Sequence, residues 1–78
     1  MIAIRVIPTG TPMVHVRFDG RSYTIPATDI NLDTRADDKA IRLAMAMYFD
    51  VALERFTYYV VERYVNGNIT VRPEAVFG

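Results

Sequence analysis

The chain contains no cysteine, a single histidine (His15) and a single serine (Ser22). The absence of cysteine excludes disulfides, thiolate nucleophiles and Cys-ligated zinc or iron–sulfur sites. The sequence also lacks a glycine-rich phosphate loop and a cluster with metal-ligand spacing, so we expect neither a metal nor a cofactor. Apolar runs stay well short of the ~20 residues that span a bilayer. Since no signal-peptide pattern opens the sequence, we expect a cytoplasmic protein with no membrane partner.

Few side chains remain for catalysis. His15 and Ser22 fall on the polar side of a predicted hairpin, where a Ser–His pair is geometrically conceivable. A flat exposed sheet offers no oxyanion hole, however, and ordinary strand polarity explains both residues. Asp37 and Asp38 are adjacent, so on a helix they point in different directions and do not form an acid–base pair. We therefore predict no catalytic residue and no enzymatic activity.

Length, hydrophobicity and charge set the scale of the fold. The 78 residues suffice for a single domain, 1–78, and a domain of this size buries only about 60% of its unfolded surface. A hydrophobic share of 51% supports a packed core rather than a disordered chain. The net charge is zero, although the helical segment leans acidic and the strand segments lean basic.

The N-terminal half predicts a three-stranded meander. Ile2–Ile7 is rich in β-branched residues and predicts one strand, and Met13–Phe18 predicts the next. Asp19-Gly20 favours a two-residue type I′ turn, because that turn needs positive φ at both positions. The turn fixes the pairing with a third strand. The expected pairs are Phe18 with Arg21, Arg17 with Ser22, Val16 with Tyr23, His15 with Thr24, and Val14 with Ile25.

The stretch from Thr34 to Leu53 has the sustained periodicity of an amphipathic helix. We expect Asp33 or Thr34 to cap it and its end to lie near Phe49 or at Leu53. The stripe predicted to face the sheet consists of Ile41, Ala44, Met45, Tyr48 and Ala52. Leu43, Ala46 and Met47 are expected toward the far side, where Leu43 and Met47 either widen the core stripe or form an exposed patch for a homodimer.

A second hairpin closes the predicted fold. Arg55 to Val65 is dense in aromatic and β-branched residues and predicts a long strand, and Asn66-Gly67 favours another type I′ turn. One residue does not fit the resulting alternation: Glu62 falls on the apolar face, which indicates a sheet edge or a bulge. The expected pairs are Tyr64 with Ile69, Arg63 with Thr70, Glu62 with Val71, and Val61 with Arg72. The apolar face would then carry Phe56, Tyr58, Val60, Tyr64, Ile69 and Val71.

The predicted fold class is α+β, a two-layer sandwich with the order β-β-β-α-β-β, in which a single helix covers one face of an antiparallel sheet. The other face must be polar if it is solvated, and it is also the expected binding surface. Arginines beside an aromatic side chain can grip acidic patches of a protein or stack on RNA bases. We favour a protein partner because the net charge is zero and the aromatics form no RNP-type pattern. The predicted partner-binding residues are Arg5, His15, Arg17, Tyr59, Arg63 and Arg72.

Three segments together carry a resemblance: the strands around Asp19-Gly20, the helix A-D-D-K-A-I-R-L-A-M-A-M, and the hairpin at Asn66-Gly67. Their order resembles that of small phage-encoded anti-CRISPR inhibitors, which place a three-strand meander before a helix and finish with two strands. The resemblance implies a non-enzymatic viral inhibitor that binds a CRISPR effector subunit. It implies no role for any individual residue.

A ubiquitin-like β-grasp protein is the structural alternative, because a hairpin, a helix and later strands also suit that fold. The expected function is thus a small protein-binding module that covers a partner surface. An RNA-binding module that uses the basic open face of the sheet is the other alternative.

Overall fold

The computed structural model describes residues 10–74. The elements are the strands β1 (Met13–Phe18) and β2 (Arg21–Pro26), the helix α1 (Asp38–Phe49), and the strands β3 (Tyr59–Arg63) and β4 (Ile69–Pro73). Two short 3₁₀ turns, Ala27–Ile30 and Leu53–Phe56, flank the helix in sequence. The strand predicted over Ile2–Ile7, and Arg5 with it, lies outside the described residues.

The four strands form a mixed sheet in the order β2-β1-β4-β3. Each hairpin is antiparallel, but β1 and β4 run parallel at the centre of the sheet. Neighbouring parallel strands need a long crossover, and here the segment with the helix supplies it. The α+β class with a single helix is therefore confirmed for the described part of the chain, and the prediction of a wholly antiparallel sheet is wrong.

The first hairpin has the predicted turn and the predicted register. Asp19 and Gly20 have φ angles of 55° and 78°, as a type I′ turn requires. All five expected pairs occur, from Val14 with Ile25 at the open end to Phe18 with Arg21 at the turn. The buried side chains of β1 alternate with exposed ones, so this hairpin has one core side and one solvent side.

The second hairpin has a longer loop than predicted, and its register is shifted by one residue. The Tyr64 carbonyl accepts from the Gly67 N–H at 2.9 Å, and the Tyr64 N–H donates to the Asn68 carbonyl at 2.9 Å. Three residues, 65–67, thus form the loop, and Gly67 adopts the left-handed conformation with φ 91°. The expected register was wrong because it assumed a two-residue turn. The observed pairs include Arg63 with Ile69, Glu62 with Thr70, Val61 with Val71, and Val60 with Arg72.

The helix starts later than predicted and ends at the earlier of the two expected positions. Its N-cap is Asp37, whose carboxylate accepts from the Ala40 N–H at 2.8 Å. Asp33 was a wrong choice of cap because its carboxylate accepts from the Arg35 N–H instead. The helix ends at Phe49, where Asp50 takes the left-handed conformation with φ 54°. A 3₁₀ turn follows, so the strand expected from Arg55 begins only at Tyr59.

The core lies between the helix and one side of the sheet. Ile41, Met45 and Ala46 are the buried helix residues, so the helix is rotated relative to the predicted stripe: Ala46 points inward and Tyr48 is 47% exposed. Phe56 from the 3₁₀ turn is fully buried and stacks on Phe18, with ring centroids 5.1 Å apart. Among residues 10–74, no helix has the length and apolarity needed to cross a membrane. The other buried members of this core are Val14, Val16, Ile25, Ala27, Ile69 and Val71.

Candidate functional site

The candidate site is the side of the sheet turned away from the helix, which we call the open face. Side chains alternate along a strand and cross-strand partners share a side, so the observed pairs define its membership. His15 lies between Thr24 on β2 and Thr70 on β4, and Arg17 lies beside Ser22. The remaining members follow from the pairing of β3 with β4. The open face consists of His15, Arg17, Ser22, Thr24, Val60, Glu62, Thr70 and Arg72.

Three of the predicted partner-binding residues are brought together on this face. His15 and Arg17 project from β1, and Arg72 projects from the neighbouring β4 one step beyond the last β1–β4 pair. Both strands are central in the sheet, so these side chains occupy the middle of the open face rather than its rim. The expectation that His15, Arg17 and Arg72 share one surface is therefore confirmed, whereas their role in binding stays a prediction.

Two of the predicted residues, Tyr59 and Arg63, lie on the helix side of the sheet, so their placement on the open face was wrong. The one-residue register shift pairs Arg63 with Ile69, which is buried in the core, and so turns Tyr59 and Arg63 inward. The Tyr59 ring packs on Phe56 with centroids 4.5 Å apart. Burial raises the pKa of the Tyr59 phenol above its ordinary value, because desolvation disfavours the phenolate.

Arg63 fastens the second hairpin to the segment that leads into the helix. Its guanidinium donates to the Thr34 carbonyl at 2.6 Å and to the Ala36 carbonyl at 2.7 Å. It also pairs with the Asp38 carboxylate at 2.7 Å. Three of the five N–H groups of Arg63 donate in these contacts, which we call the Arg63 bracket, so this side chain supports the fold.

Charge on the open face is concentrated at one residue. Arg72 is ion-paired with Glu62, its neighbour across the β3–β4 pair, so the two charges largely cancel. Arg17 is exposed, and within residues 10–74 no hydrogen bond or ion pair engages its guanidinium. An incoming carboxylate or phosphate would therefore meet a free guanidinium at Arg17 and a compensated one at Arg72.

The tip of the second hairpin adds an apolar rim to the open face. The Tyr64 ring reaches over the face, since the Thr70 hydroxyl lies 3.4 Å from the Tyr64 hydroxyl. Tyr64 is half exposed and Val65 is fully exposed. A shallow concavity of about 670 Å³ lies between this tip and His15. Its lining consists of His15, Tyr64, Val65, Asn66, Asn68 and Thr70.

Tyr64 and Val65 were not among the predicted site residues, because the expected register placed Tyr64 on the apolar face. The position of Glu62 on the expected apolar face was the feature of the sequence from which they could have been identified. Sliding the pairing by one residue moves Glu62 to the polar face, opposite Thr70, and carries Tyr64 along with it. A charged residue that breaks an alternation is thus evidence about register as much as about bulges.

The open face presents an imidazole, hydroxyls and a guanidinium. The imidazole Nδ1 of His15 lies 3.2 Å from the Thr24 hydroxyl, and Thr70 stands on the other side of His15. Over residues 10–74, no group of three His, Asp or Glu side chains could hold a metal ion, and no polar side chain is buried. The face offers an arginine and a tyrosine, which are residue types enriched in protein interfaces.

No family model, no curated protein and no solved structure matches this chain.

Proposed function

We propose that this protein is a small non-catalytic binding module that covers a surface of a partner protein with its open face. One observation carries the proposal: Arg17, whose guanidinium is unpaired within residues 10–74, and the exposed Tyr64 of the hairpin tip stand on the same side of the sheet. Arginine and tyrosine are the side chains that most often dominate the binding energy of protein interfaces. The hydroxyls between them supply adaptable hydrogen bonds around these two anchors.

The partner proposed first is a CRISPR effector subunit, which follows from the resemblance of the element order to phage-encoded inhibitors. A module of this kind would inhibit by occupying a surface that its target needs, so no reaction is required of it. The contact chemistry of the open face asks for a partner patch that presents a carboxylate to Arg17 and an apolar side chain to the concavity beside Tyr64. The cytoplasm is the location that we propose for it.

Binding to a panel of purified CRISPR effector complexes, measured by biolayer interferometry, tests the proposal. Arg17→Glu and Tyr64→Ala should each weaken binding about tenfold or more, as expected of the anchor residues of an interface. Arg21→Glu is the matched control, because Arg21 is an exposed arginine that pairs with the buried Phe18 and so lies on the side of the sheet away from the open face. Equal binding by wild type, Arg17→Glu and Tyr64→Ala would reject the open face as the docking surface.

RNA binding through the same face is the alternative, and the exposed Tyr64 beside a polar sheet is the observation that favours it. The inward position of Tyr59 and the bracket formed by Arg63 remove two of the groups on which that alternative was based. An RNA binder should lose affinity linearly with salt on a double-logarithmic plot and should weaken on Tyr64→Ala. A slope near zero with single-stranded RNA would reject it.

A ubiquitin-like β-grasp protein remains the second alternative. The strand order favours it as a description of the fold, since β1 and β4 lie side by side and parallel with the helix in the crossover between the two hairpins. The fold alone specifies no activity, so this alternative adds no site to those on the open face.

A further inference from the structure

The outer side of the helix carries a second surface, separate from the open face and on the opposite side of the molecule. Leu43 and Met47 are 46% and 73% exposed, although both are apolar and only one turn apart. Ala40 is exposed and Ala44 is partly exposed on the same side of the helix. Apolar side chains that are exposed next to one another, rather than singly, mark a contact surface.

A positive charge stands at one end of this apolar surface and a negative charge at the other. Lys39, Leu43 and Met47 are spaced i, i+4 and i+8, and the C-cap residue Asp50 follows at i+11, so the four positions follow one line along the helix to its end. Within residues 10–74, no ion pair engages Lys39 or the Asp50 carboxylate. The line thus runs from a free cation through two exposed apolar side chains to a free anion. We call these four residues the outer stripe.

The outer stripe is complementary to itself when two copies run antiparallel. At a rise of about 1.5 Å per residue, Lys39 and Asp50 are about 16 Å apart along the axis. A two-fold axis midway between them, close to Ala44, brings each Lys39 level with the Asp50 of the other copy. The same axis brings Leu43 within about 1.5 Å of the level of the other copy's Met47. One register therefore matches the two charges and the two apolar side chains together.

An antiparallel pair also brings together the flanks of the two helices that carry the charged side chains. Each helix has two flanks, one on either side of the contact line. In an antiparallel pair a given flank of one helix lies beside the same flank of the other helix, whereas in a parallel pair it lies beside the opposite flank. Lys39 and Asp50 share one flank of the stripe, so only the antiparallel arrangement pairs them.

We propose that the outer stripe is a homodimer interface, in which two helices pair antiparallel about a two-fold axis with reciprocal Lys39–Asp50 ion pairs. The helix has 12 residues, so the contact is shorter than a standard protein interface. The dimer is correspondingly weak and forms at concentrations on the order of 0.1 to 1 mM. Dimerisation leaves the open face of each copy free, so the assembled molecule presents two binding faces.

Sedimentation equilibrium across protein concentration is the primary test. The wild type should shift from monomer to dimer with rising concentration, and Met47→Glu should remain monomeric because it places a carboxylate at the centre of an apolar contact. Thr28→Glu is a control on an exposed position of a 3₁₀ turn, away from the outer stripe, and should dimerise like the wild type. A wild type that is monomeric throughout, or a Met47→Glu variant that still dimerises, overturns the proposal.

Charge reversal then tests the antiparallel register. Lys39→Glu and Asp50→Lys should each weaken self-association about tenfold or more, because each homodimer contains two like-charge contacts. An equimolar mixture of these two variants should associate at least as well as the wild type, since both contacts in the mixed dimer pair opposite charges. A mixture that stays monomeric while the wild type dimerises overturns the register.

Folding of the variants is checked separately. Lys39→Glu adds a negative charge to the first turn of the helix, where the helix dipole favours it. Asp50 is in the left-handed conformation, which lysine tolerates less well than aspartate. Asp50→Asn keeps that conformation and removes the charge, so it should weaken dimerisation without lowering the melting temperature. Unchanged dimerisation in Asp50→Asn contradicts the ion pair.

Discussion

The two hairpins of the sheet reverse the chain differently, although each has an Xaa-Gly pair at its tip. At Asp19-Gly20 both residues have positive φ and the loop contains two residues. In the second hairpin the loop contains three residues, and the left-handed position is taken by Gly67. Because strand alternation has a period of two, the extra loop residue moves every side chain of β3 to the other side of the sheet.

The difference follows from what surrounds each turn. The first turn depends on local contacts between two adjacent strands. In the second loop, the Asn66 side chain accepts from the Asn68 N–H at 3.0 Å, and the Asn68 side chain accepts from the Met13 N–H at 2.9 Å. Pro12 also lies against Gly67. The start of β1 and the residue before it, more than 50 residues away in sequence, therefore help to select the loop of the second hairpin.

Charged substitutions at two adjacent valines give the largest expected effect and test the register of the second hairpin. Val61 packs against the core, so Val61→Asp should lower the free energy of unfolding by about 2–3 kcal/mol. Val60 lies on the open face beside Arg72, so Val60→Asp should change it by less than about 0.5 kcal/mol. Urea unfolding of both variants measures the difference. The opposite order of effects would support the two-residue turn.

Removal of the Arg63 side chain is expected to have the next largest effect. Arg63→Ala should lower the free energy of unfolding by about 1–2 kcal/mol, because two backbone carbonyls and the Asp38 carboxylate lose their donor at a partly exposed site. Arg17→Ala is the matched control and should be nearly neutral, since Arg17 has no such contacts. If thermal melts show the two variants to be equally stable, the contacts of the Arg63 guanidinium do not stabilise the fold.

Glycine substitutions at the two turns should affect the stability of the fold differently. Asp19→Gly relieves a non-glycine residue in the left-handed conformation and should be neutral or stabilise by about 0.5 kcal/mol. Asn66→Gly removes the side-chain bond to the Asn68 N–H and should destabilise by about 0.5–1 kcal/mol. Chemical denaturation under identical conditions compares the pair. A shift of the same sign in both variants would mean that the two turns are conformationally alike.

Alkaline titration gives the smallest expected effect and reports on the inward position of Tyr59. Burial raises the pKa of Tyr59 above its ordinary value of 10.0, so the folded protein favours the neutral phenol. The unfolded chain loses this proton first, and stability should therefore fall as the pH rises past 10.0 toward the raised pKa. Tyr59→Phe should show less of this fall in melting temperature. An identical pH dependence in wild type and Tyr59→Phe would place the ring in solvent.

The parts of the fold that depend on local sequence could be predicted. The Asp19-Gly20 turn fixed the register of the first hairpin and placed His15 and Arg17 on one face, because only neighbouring strands were involved. The helix end at Phe49 could likewise be predicted from the local sequence as one of two positions. The parallel β1–β4 pair and the loop at Gly67 could not be predicted, since both depend on contacts between distant segments. The errors at Tyr59 and Arg63 follow directly from that loop.

The register of β3 with β4 decides which side chains stand on the open face, and every proposal about that face depends on it. The bonds that join Tyr58 to Glu74 and Tyr64 to Asn68 make Val61 and Val71 a non-hydrogen-bonded pair, whose Hα atoms face each other closely. A nuclear Overhauser spectrum should therefore show a strong cross-peak between the Hα of Val61 and the Hα of Val71. A cross-peak from the Hα of Val71 to the Hα of Glu62 in its place would contradict the account.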